Sequence, residues 1–246
     1  MFLQRIEFEV EEKAIECNEL NNEILIIKKI VKEEKYVRVK ENQLAVLNQN
    51  GKILDLRGEP GLYEIKEGDM NLPEEWQFEI QKAEDESLNV LFINRADIVD
   101  NKFYILEPIT YIDWTYEDEP IETKIKGEVI FNFTIDRPQN FLRLVIGLRD
   151  NYAKHELLEQ IRPFIIKSIQ DGIKELSNDY KVDIRTLITN PSSIKVKVKE
   201  NKYDNKLLDK GIKVTFFDFI NLEVDSNTRN ILEVEDKFKD VDSENN

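Results

Sequence analysis

The chain has 246 residues, 41% of them hydrophobic, which is enough for one sizeable domain, or one domain with two lobes, around a buried core. Its 35 basic and 50 acidic residues give a formal net charge of −15, which argues against nucleic acid as a partner, because that affinity comes mostly from cations placed on phosphates. The same charge argues against adsorption to anionic lipid, and no apolar run approaches the roughly 18 residues of a membrane-spanning helix.

The first residues, MFLQRIEFEVEEK, lack the basic, apolar and small-residue order of a signal peptide, and Phe2 stands where N-myristoylation requires glycine. Cys17 is the only cysteine, so we expect neither an internal disulfide nor a cysteine-based metal site. We therefore expect a cytoplasmic protein that does not bind membranes strongly by itself. A partner protein is the expected route to any peripheral contact with the inner membrane.

The first quarter of the chain predicts β-structure. Apolar residues in alternation or in short runs mark five strands, Ile6–Val10, Ile24–Val31, Val37–Val39, Leu44–Leu47 and Ile53–Leu56. Asn50-Gly51 is predicted to join the last two as a tight hairpin, because both residues accept the positive φ that such turns need. We interpret residues 1–36 as an N-terminal β extension.

Two acidic loops contain a group of aromatic residues. In residues 66–87, Trp76, Phe78 and Ile80 alternate as in a short strand, and residues 112–120 form the second loop. The aromatic residues in or beside these loops are Trp76, Phe78, Tyr111, Trp114 and Tyr116. They either pack within long loops or form an interaction surface, since aromatic side chains in polar surroundings are typical of interface cores.

Residues Ile121–Asp136 form the most regular pattern in the chain. Odd positions are mostly apolar and even positions mostly polar, which predicts one long strand with a buried face and a solvated face. The apolar side chains are Ile121, Ile125, Val129, Phe131, Phe133 and Ile135. Asp136-Arg137-Pro138 ends the strand, because proline cannot donate to a ladder, and Pro138–Gly147 has the spacing of a short helix.

The second half of the chain predicts mainly helices. The pattern over Ala153–Leu176 is helical, with Pro163 inside it. Ser193–Leu208 is ambiguous, because its first apolar residues alternate as in a strand. Gly211–Val224 has the character of a strand, and the polar residues 225–228 are predicted to cap a last helix at Arg229–Phe238.

The long strand that runs through an Asp-x-Pro step into a short helix resembles the middle of the SPFH (band 7) domain of stomatin, prohibitin and flotillin relatives. Glu59-Pro60-Gly61-Leu62-Tyr63 looks like the turn that follows the hairpin in this family. Asn89–Asp97 and Glu107-Pro108-Ile109 are similar to the bacterial subgroup described as virion-core-protein-like. Gly211–Val224 resembles the strand that closes the second subdomain, so the likeness spans roughly Val37–Val224.

This resemblance implies an α+β fold. It implies a β-rich lobe over residues 37–136 and a helix-containing lobe over residues 138–224, which together make an SPFH-like domain over residues 37–224. A short helix and an acidic tail are predicted over residues 225–246. The resemblance also favours a helix at Ser193–Leu208.

Charge is spread unevenly along the chain. Pro191–Lys213 contains seven lysines against three acidic residues, whereas residues 223–246 contain eight acidic residues against three basic ones. The two patches are either solvated or complementary between copies, head to tail. Because an exposed ion pair contributes only ~0–1 kcal/mol, such a contact needs apolar support from the last helix. The candidate residues are Lys195, Lys197, Lys199, Ile231, Leu232 and Phe238.

Catalytic and cofactor-binding patterns are not visible in the sequence. His155 is the only histidine and lies in the first turns of a predicted helix, where we expect an ordinary surface or partly buried residue. The acidic residues at 113 and 117–119 lack the spacing of a calcium loop, and no glycine-rich phosphate motif is present. We therefore expect no enzyme activity, no cofactor and no bound metal.

Two classes of function fit these expectations. The first, implied by the SPFH resemblance, is a non-enzymatic scaffold that self-associates and organises partner proteins at or near the cytoplasmic face of a membrane. The alternative is a soluble regulatory adaptor of a protease or a membrane-stress effector. The expected partners are further copies of this chain and other proteins, membrane-bound ones included. Assembly separates the two classes, because scaffolds form large rings or chains and adaptors form small defined complexes.

Overall fold

The structure, a computed structural model, describes residues 1–7, 13–68, 72–78, 87–115, 120–146, 149–200 and 203–233. The structure contains helices as well as strands, and the strands form several sheets. This confirms the predicted α+β fold. The strands are β1 (Phe2–Ile6), β2 (Ala14–Ile15), β3 (Ile24–Ile30), β4 (Tyr36–Val39), β5 (Gln43–Gln49), β6 (Lys52–Arg57), β7 (Gly61–Lys66), β8 (Leu88–Asn94), β9 (Ile98–Tyr104), β10 (Ile109–Asp113), β11 (Ile121–Ile135), β12 (Asn151–Ala153) and β13 (Ile212–Val224). The helices are α1 (Pro138–Phe141), α2 (Lys154–Asn178), α3 (Ile184–Thr189), α4 (Ser192–Glu200), α5 (Tyr203–Asp209) and α6 (residues 226–233).

The chain forms two compact units, and each unit draws on three segments of the sequence. The first unit comprises Met1–Val99, Phe133–Ile161 and Leu207–Lys213. The second comprises the described residues within Asp100–Asn132, Arg162–Lys206 and Val214–Asn246. This interleaved division differs from the consecutive lobes predicted at 37–136 and 138–224. Apolar periodicity locates strands and helices, but it carries no information about which distant segments pack together.

Strands of the first unit form two sheets, with the orders β1-β7-β4-β2 and β12-β3-β8-β5-β6. Buried side chains from both sheets meet in one apolar cluster, which contains Leu3, Ile15, Cys17, Ile27, Val37, Val39, Ala45, Leu47, Tyr63, Val90 and Phe92. β1 pairs with β7 along its length, and β3 lies between β12 and β8. Residues 1–36, predicted as an N-terminal β extension, therefore contribute their described strands to this unit.

The hairpin predicted at Asn50-Gly51 is confirmed, because β5 pairs with β6 and the turn residues have φ values of 50° and 79°. The structure has a strand at Phe2–Ile6, and most of the strand predicted at Ile6–Val10 lies outside the described residues, because residues 8–12 are not described.

A buried carboxylate holds β1 at the end of its sheet. Asp55 accepts a hydrogen bond from the N–H of Leu3 at 2.5 Å and one from the Arg57 guanidinium at 2.7 Å. Arg57 in turn donates to the carbonyl oxygen of Leu3 at 2.5 Å. The two side chains thus satisfy the N–H and C=O groups that an end strand would otherwise leave open.

The short strand predicted around Trp76, Phe78 and Ile80 is wrong. Glu74–Trp76 forms a single 3-10 turn, in which the N–H of Trp76 donates to the carbonyl oxygen of Pro73 at 2.9 Å. Ile80 lies outside the described residues. The Trp76 indole is buried, and such burial of a large aromatic side chain is favourable.

The long strand predicted at Ile121–Asp136 is confirmed as β11, and its odd-numbered side chains from residue 123 to residue 135 are all buried. β10 and β13 are its neighbours in the sheet order, and β9 also pairs with it. Gly127 is required within this strand, because a Cβ atom there would lie 2.4 Å from the carbonyl oxygen of Asn221 on β13.

The corner after β11 docks on Gly211 within the first unit. The N–H groups of Asp136 and Arg137 donate to the Gly211 carbonyl oxygen at 2.9 Å and 3.2 Å. Gly211 has a φ of +84°, and a Cβ atom there would lie 2.2 Å from the carbonyl oxygen of Arg137. A helix begins at Pro138 as predicted, but beyond α1 the chain continues as a π-helical turn over Leu142–Ile146.

The ambiguous segment Ser193–Leu208 is helical in the described residues, as the family resemblance implied. α4 buries Ile194 and Val198, one helical turn apart, and exposes Val196. A strand would have placed all three side chains on one face.

The helix predicted over Ala153–Leu176 is confirmed as α2, which contains Pro163. The last helix, α6, begins at residue 226, earlier than the predicted Arg229. The difference follows from its cap, because the side chain of Asp225 accepts the N–H of Thr228 at 3.0 Å.

Asp225 also ties α6 to β11. Its second carboxylate oxygen accepts hydrogen bonds from the hydroxyl of Thr123 and the N–H of Lys124, both at 3.0 Å. These donors, with the N–H of Thr228 contributing most, hold the pKa of the Asp225 carboxyl below its ordinary value of 3.8. One ionised side chain therefore fixes the start of a helix and its neighbouring strand.

Phe131→Asp tests the assignment of the two faces of β11. Phe131 is buried, and its ring packs edge-to-face on that of Phe103 with centroids 5.8 Å apart. We expect the free energy of unfolding to fall by several kcal/mol, because about 1.5–3 kcal/mol of burial is lost and an unpaired charge is buried. Asn132→Asp is the matched control, since it keeps the oxygen that accepts the N–H of Asp100. Equal urea stability of the two variants would contradict the assignment.

Asp225→Asn tests the anchoring of α6. An amide has one acceptor oxygen where the carboxylate has two, so we expect a loss of about 1 kcal/mol in the free energy of unfolding at neutral pH. Because the folded-state pKa is lowered, this contribution is complete above the unfolded pKa and is lost as the pH falls through the folded pKa. Urea denaturation at neutral pH and at about pH 3 measures the difference, with the exposed Glu107→Gln as control. A difference that grows on acidification would show that the cap is not the cause.

Candidate interaction surface

Two of the predicted lysines on α4 are paired within the chain. Lys197 is buried, and its ammonium group lies 3.2 Å from the carboxylate of Glu175 and donates to the hydroxyl of Tyr180 at 2.7 Å. Lys195 pairs with Asp218 at 3.2 Å. These two lysines therefore contribute little net charge toward an outside partner.

The same ammonium groups lie over aromatic rings. Lys195 Nζ is 5.4 Å from the ring centroid of Phe216 on β13, and Lys197 Nζ is 4.0 Å from that of Tyr180, just after α2. Lys195 and Lys197 are two positions apart on α4, so their side chains are separated by about 200° around the helix axis. The helix therefore contacts β13 on one side and the end of α2 on the other. Val196, between the two lysines, projects away from both contacts. The side chain of Lys199 lies outside the described part of the chain.

Four exposed apolar side chains accompany these pairs. Their exposed fractions are 55% for Tyr180, 53% for Val196, 43% for Phe216 and 47% for Ile220. We call these four residues, together with the ion pairs Lys195–Asp218 and Lys197–Glu175, the α4 surface.

Sequence reasoning found the lysines of the α4 surface and missed its apolar side chains. The signal was present in β13, where Phe216 and Phe217 are adjacent. Successive side chains of a strand face opposite sides, so one of the two had to face away from the core. In the structure Phe217 is buried, and Phe216 shares the outer face of β13 with Ile220.

Trp76 and Phe78, predicted as part of an interaction surface, lie in the first unit. Trp76 is buried and stacks on Phe78 with ring centroids 6.3 Å apart and planes inclined by 22°. The guanidinium of Arg143 lies 5.9 Å from the centroid of Phe78. Internal packing therefore accounts for Trp76, and Phe78 is half-buried against it.

Tyr111 and Trp114 lie in the second unit and have opposite environments. Tyr111 is fully buried, and its hydroxyl donates to the carbonyl oxygen of Val182. Burial raises the pKa of its phenol above the usual range. Trp114 is exposed, whereas Tyr116 lies outside the described residues.

The predicted apolar residues of the last helix are partly accessible. Ile231 is exposed, and Leu232 is half-buried. The carbonyl oxygen of Leu232 accepts a hydrogen bond from Arg185 at 3.1 Å. Phe238 lies outside the described residues. Of the predicted residues whose side chains the structure describes, Lys195 and Lys197 belong to the α4 surface.

Groups of acidic, histidine and cysteine side chains do not gather into a metal site among the described residues. His155 is exposed on the first turn of α2. In the same part of the chain, no helix combines the length and apolar character needed to cross a membrane.

Comparison with known proteins identifies the family of this chain. Residues 22–239, most of the chain, match the SPFH domain-Band 7 family. No curated protein matches the chain. The strand β11, its turn into α1 and the closing strand β13, on which the resemblance was based, all fall inside the matched range. The chain therefore belongs to the SPFH domain-Band 7 family, whose members are known for membrane-associated scaffolding and are generally not enzymes.

Proposed function

We propose that this protein is a non-enzymatic scaffold that self-associates and organises partner proteins at or near the cytoplasmic face of a membrane. The observation that carries the proposal is the family match over residues 22–239. It supports scaffolding as the class of function. Self-association, and the recruitment of the protein to a membrane by a partner, are our extension of it to this chain.

The structure favours apolar contact over charge as the basis of self-association. The head-to-tail model predicted from the sequence relied on the lysines of Pro191–Lys213, yet Lys195 and Lys197 are neutralised within their own chain. Exposed ion pairs contribute only ~0–1 kcal/mol each, so the remaining lysines are a weak basis for assembly. Exposed apolar side chains, by contrast, lose contact with water when two copies meet.

Light scattering on the purified chain tests self-association. We expect a mass above that of one chain, and we expect it to persist at high salt, because apolar contact is not screened. A chain truncated after Glu233 keeps Asp225 and its cap but lacks most of the acidic tail, so an unchanged mass would exclude the tail as the mediator. A single-chain mass at every salt and protein concentration would contradict self-association. A small complex with one protease or stress effector would favour the adaptor instead.

Flotation with liposomes tests the membrane part of the proposal. The net charge of −15 opposes adsorption to anionic lipid, where favourable attraction needs basic residues at about 1 kcal/mol each. We expect the chain alone to stay in the aqueous fraction with anionic vesicles at physiological salt. Strong flotation without a partner would contradict recruitment by a partner and would point to direct lipid contact.

A further inference from the structure

We propose that the α4 surface binds a second copy of this chain through the same surface, as a two-fold contact. This inference rests on the proposed self-association and names the residues of one contact in it. Because a two-fold contact closes at a dimer, a larger ring or chain needs a second contact between dimers. Three observations carry it: the apolar side chains exposed there, the pairing of its charges, and the high negative charge of the chain as a whole.

Charge explains why the occupant is a second copy. Two copies that each carry −15 repel one another over most of their surfaces. On the α4 surface each carboxylate is paired, Asp218 with Lys195 and Glu175 with Lys197, both at 3.2 Å. Copies therefore approach here with less repulsion than at a surface of unpaired carboxylates. A basic partner would instead be attracted to unpaired carboxylates, so its chemistry does not fit this surface.

Self-complementarity explains the two-fold geometry. In a two-fold contact the same residues meet from both sides, so the surface has to supply both members of every favourable pair. The α4 surface supplies cations and anions in equal number, and it supplies aromatic and aliphatic side chains together. Tyr180 and Phe216 each lie against an ammonium group, which restricts their rings before binding and lowers the entropy cost of the contact.

Val196→Glu is the first test. Val196 projects from the middle of the α4 surface and is exposed, so glutamate is accommodated in the folded chain but puts two like charges into a two-fold contact. We expect the mass measured by light scattering to fall about twofold. Leu106→Glu is the matched control, because Leu106 is 72% exposed, lies in the same unit and is outside the α4 surface. The control is expected to keep the wild-type mass.

Disulfide capture is the second test. Cys17 is the only native cysteine and is fully buried, so Val196→Cys introduces a single accessible thiol. Mild oxidation is expected to give a covalent dimer of Val196→Cys, while Leu106→Cys and Ile231→Cys stay monomeric on a denaturing gel. A wild-type mass for Val196→Glu, or capture through Ile231→Cys in place of Val196→Cys, would overturn this inference and leave self-association standing. A wild-type chain that is always monomeric would overturn the proposed function itself.

Discussion

The fold depends on one constraint, the single buried face of β11. Over thirteen residues this strand alternates between core and outside, so a shift of its register by one position would expose Phe131 and Phe133 and bury charged residues. The neighbouring strands adapt to that face. β13 approaches so closely at Asn221 that only glycine fits opposite, at position 127. The strand ends where Pro138 removes a donor, and Gly211 receives the corner that follows.

Carboxylates stabilise local structure in this acidic chain. Asp225 caps α6, and Asp183 caps α3 by accepting the N–H of Thr186 at 2.8 Å. The buried Asp113 accepts the N–H of Ile184 at 2.7 Å, so a second carboxylate lies at the start of α3. Negative side chains at helix N-termini satisfy open N–H groups and interact favourably with the helix dipole. Part of the acidic excess thus has a structural role.

Pairing of lysines changes what the charge pattern means for function. From the sequence, the lysines of α4 were expected to be either solvated or complementary to the acidic tail of another copy. In the structure, Lys195 and Lys197 hold α4 against β13 and the end of α2, and the residue between them is apolar. The exposed character of this region is therefore apolar and nearly neutral. This region is therefore our proposed place of contact between copies of a strongly negative chain.

The sequence by itself determined features that depend on near neighbours in the chain. The alternation of β11, the Asn50-Gly51 hairpin and the helical period of α2 each follow from residues within a few positions of one another. The resemblance to the family also follows from the sequence, since the order of strand, Asp-x-Pro step and helix is a local sequence feature. Asp225 was foreseen as part of a cap, because its position before a helical stripe is a local signal.

Only the tertiary structure decided which distant residues meet. β1 pairs with β7, and β3 pairs with β8. These partners lie far away in the sequence, so local patterns did not reveal that β1 and β3 belong to the same sheets as strands of residues 37–99. Trp76 was buried in a 3-10 turn, and Tyr111 was withdrawn into the core, although both stood in acidic surroundings in the sequence. The α4 surface arose because α2, α4 and β13 pack together. Periodicity states which face of each element is apolar, but the free energy of burial is gained between elements, and their partners are settled only when the whole chain packs.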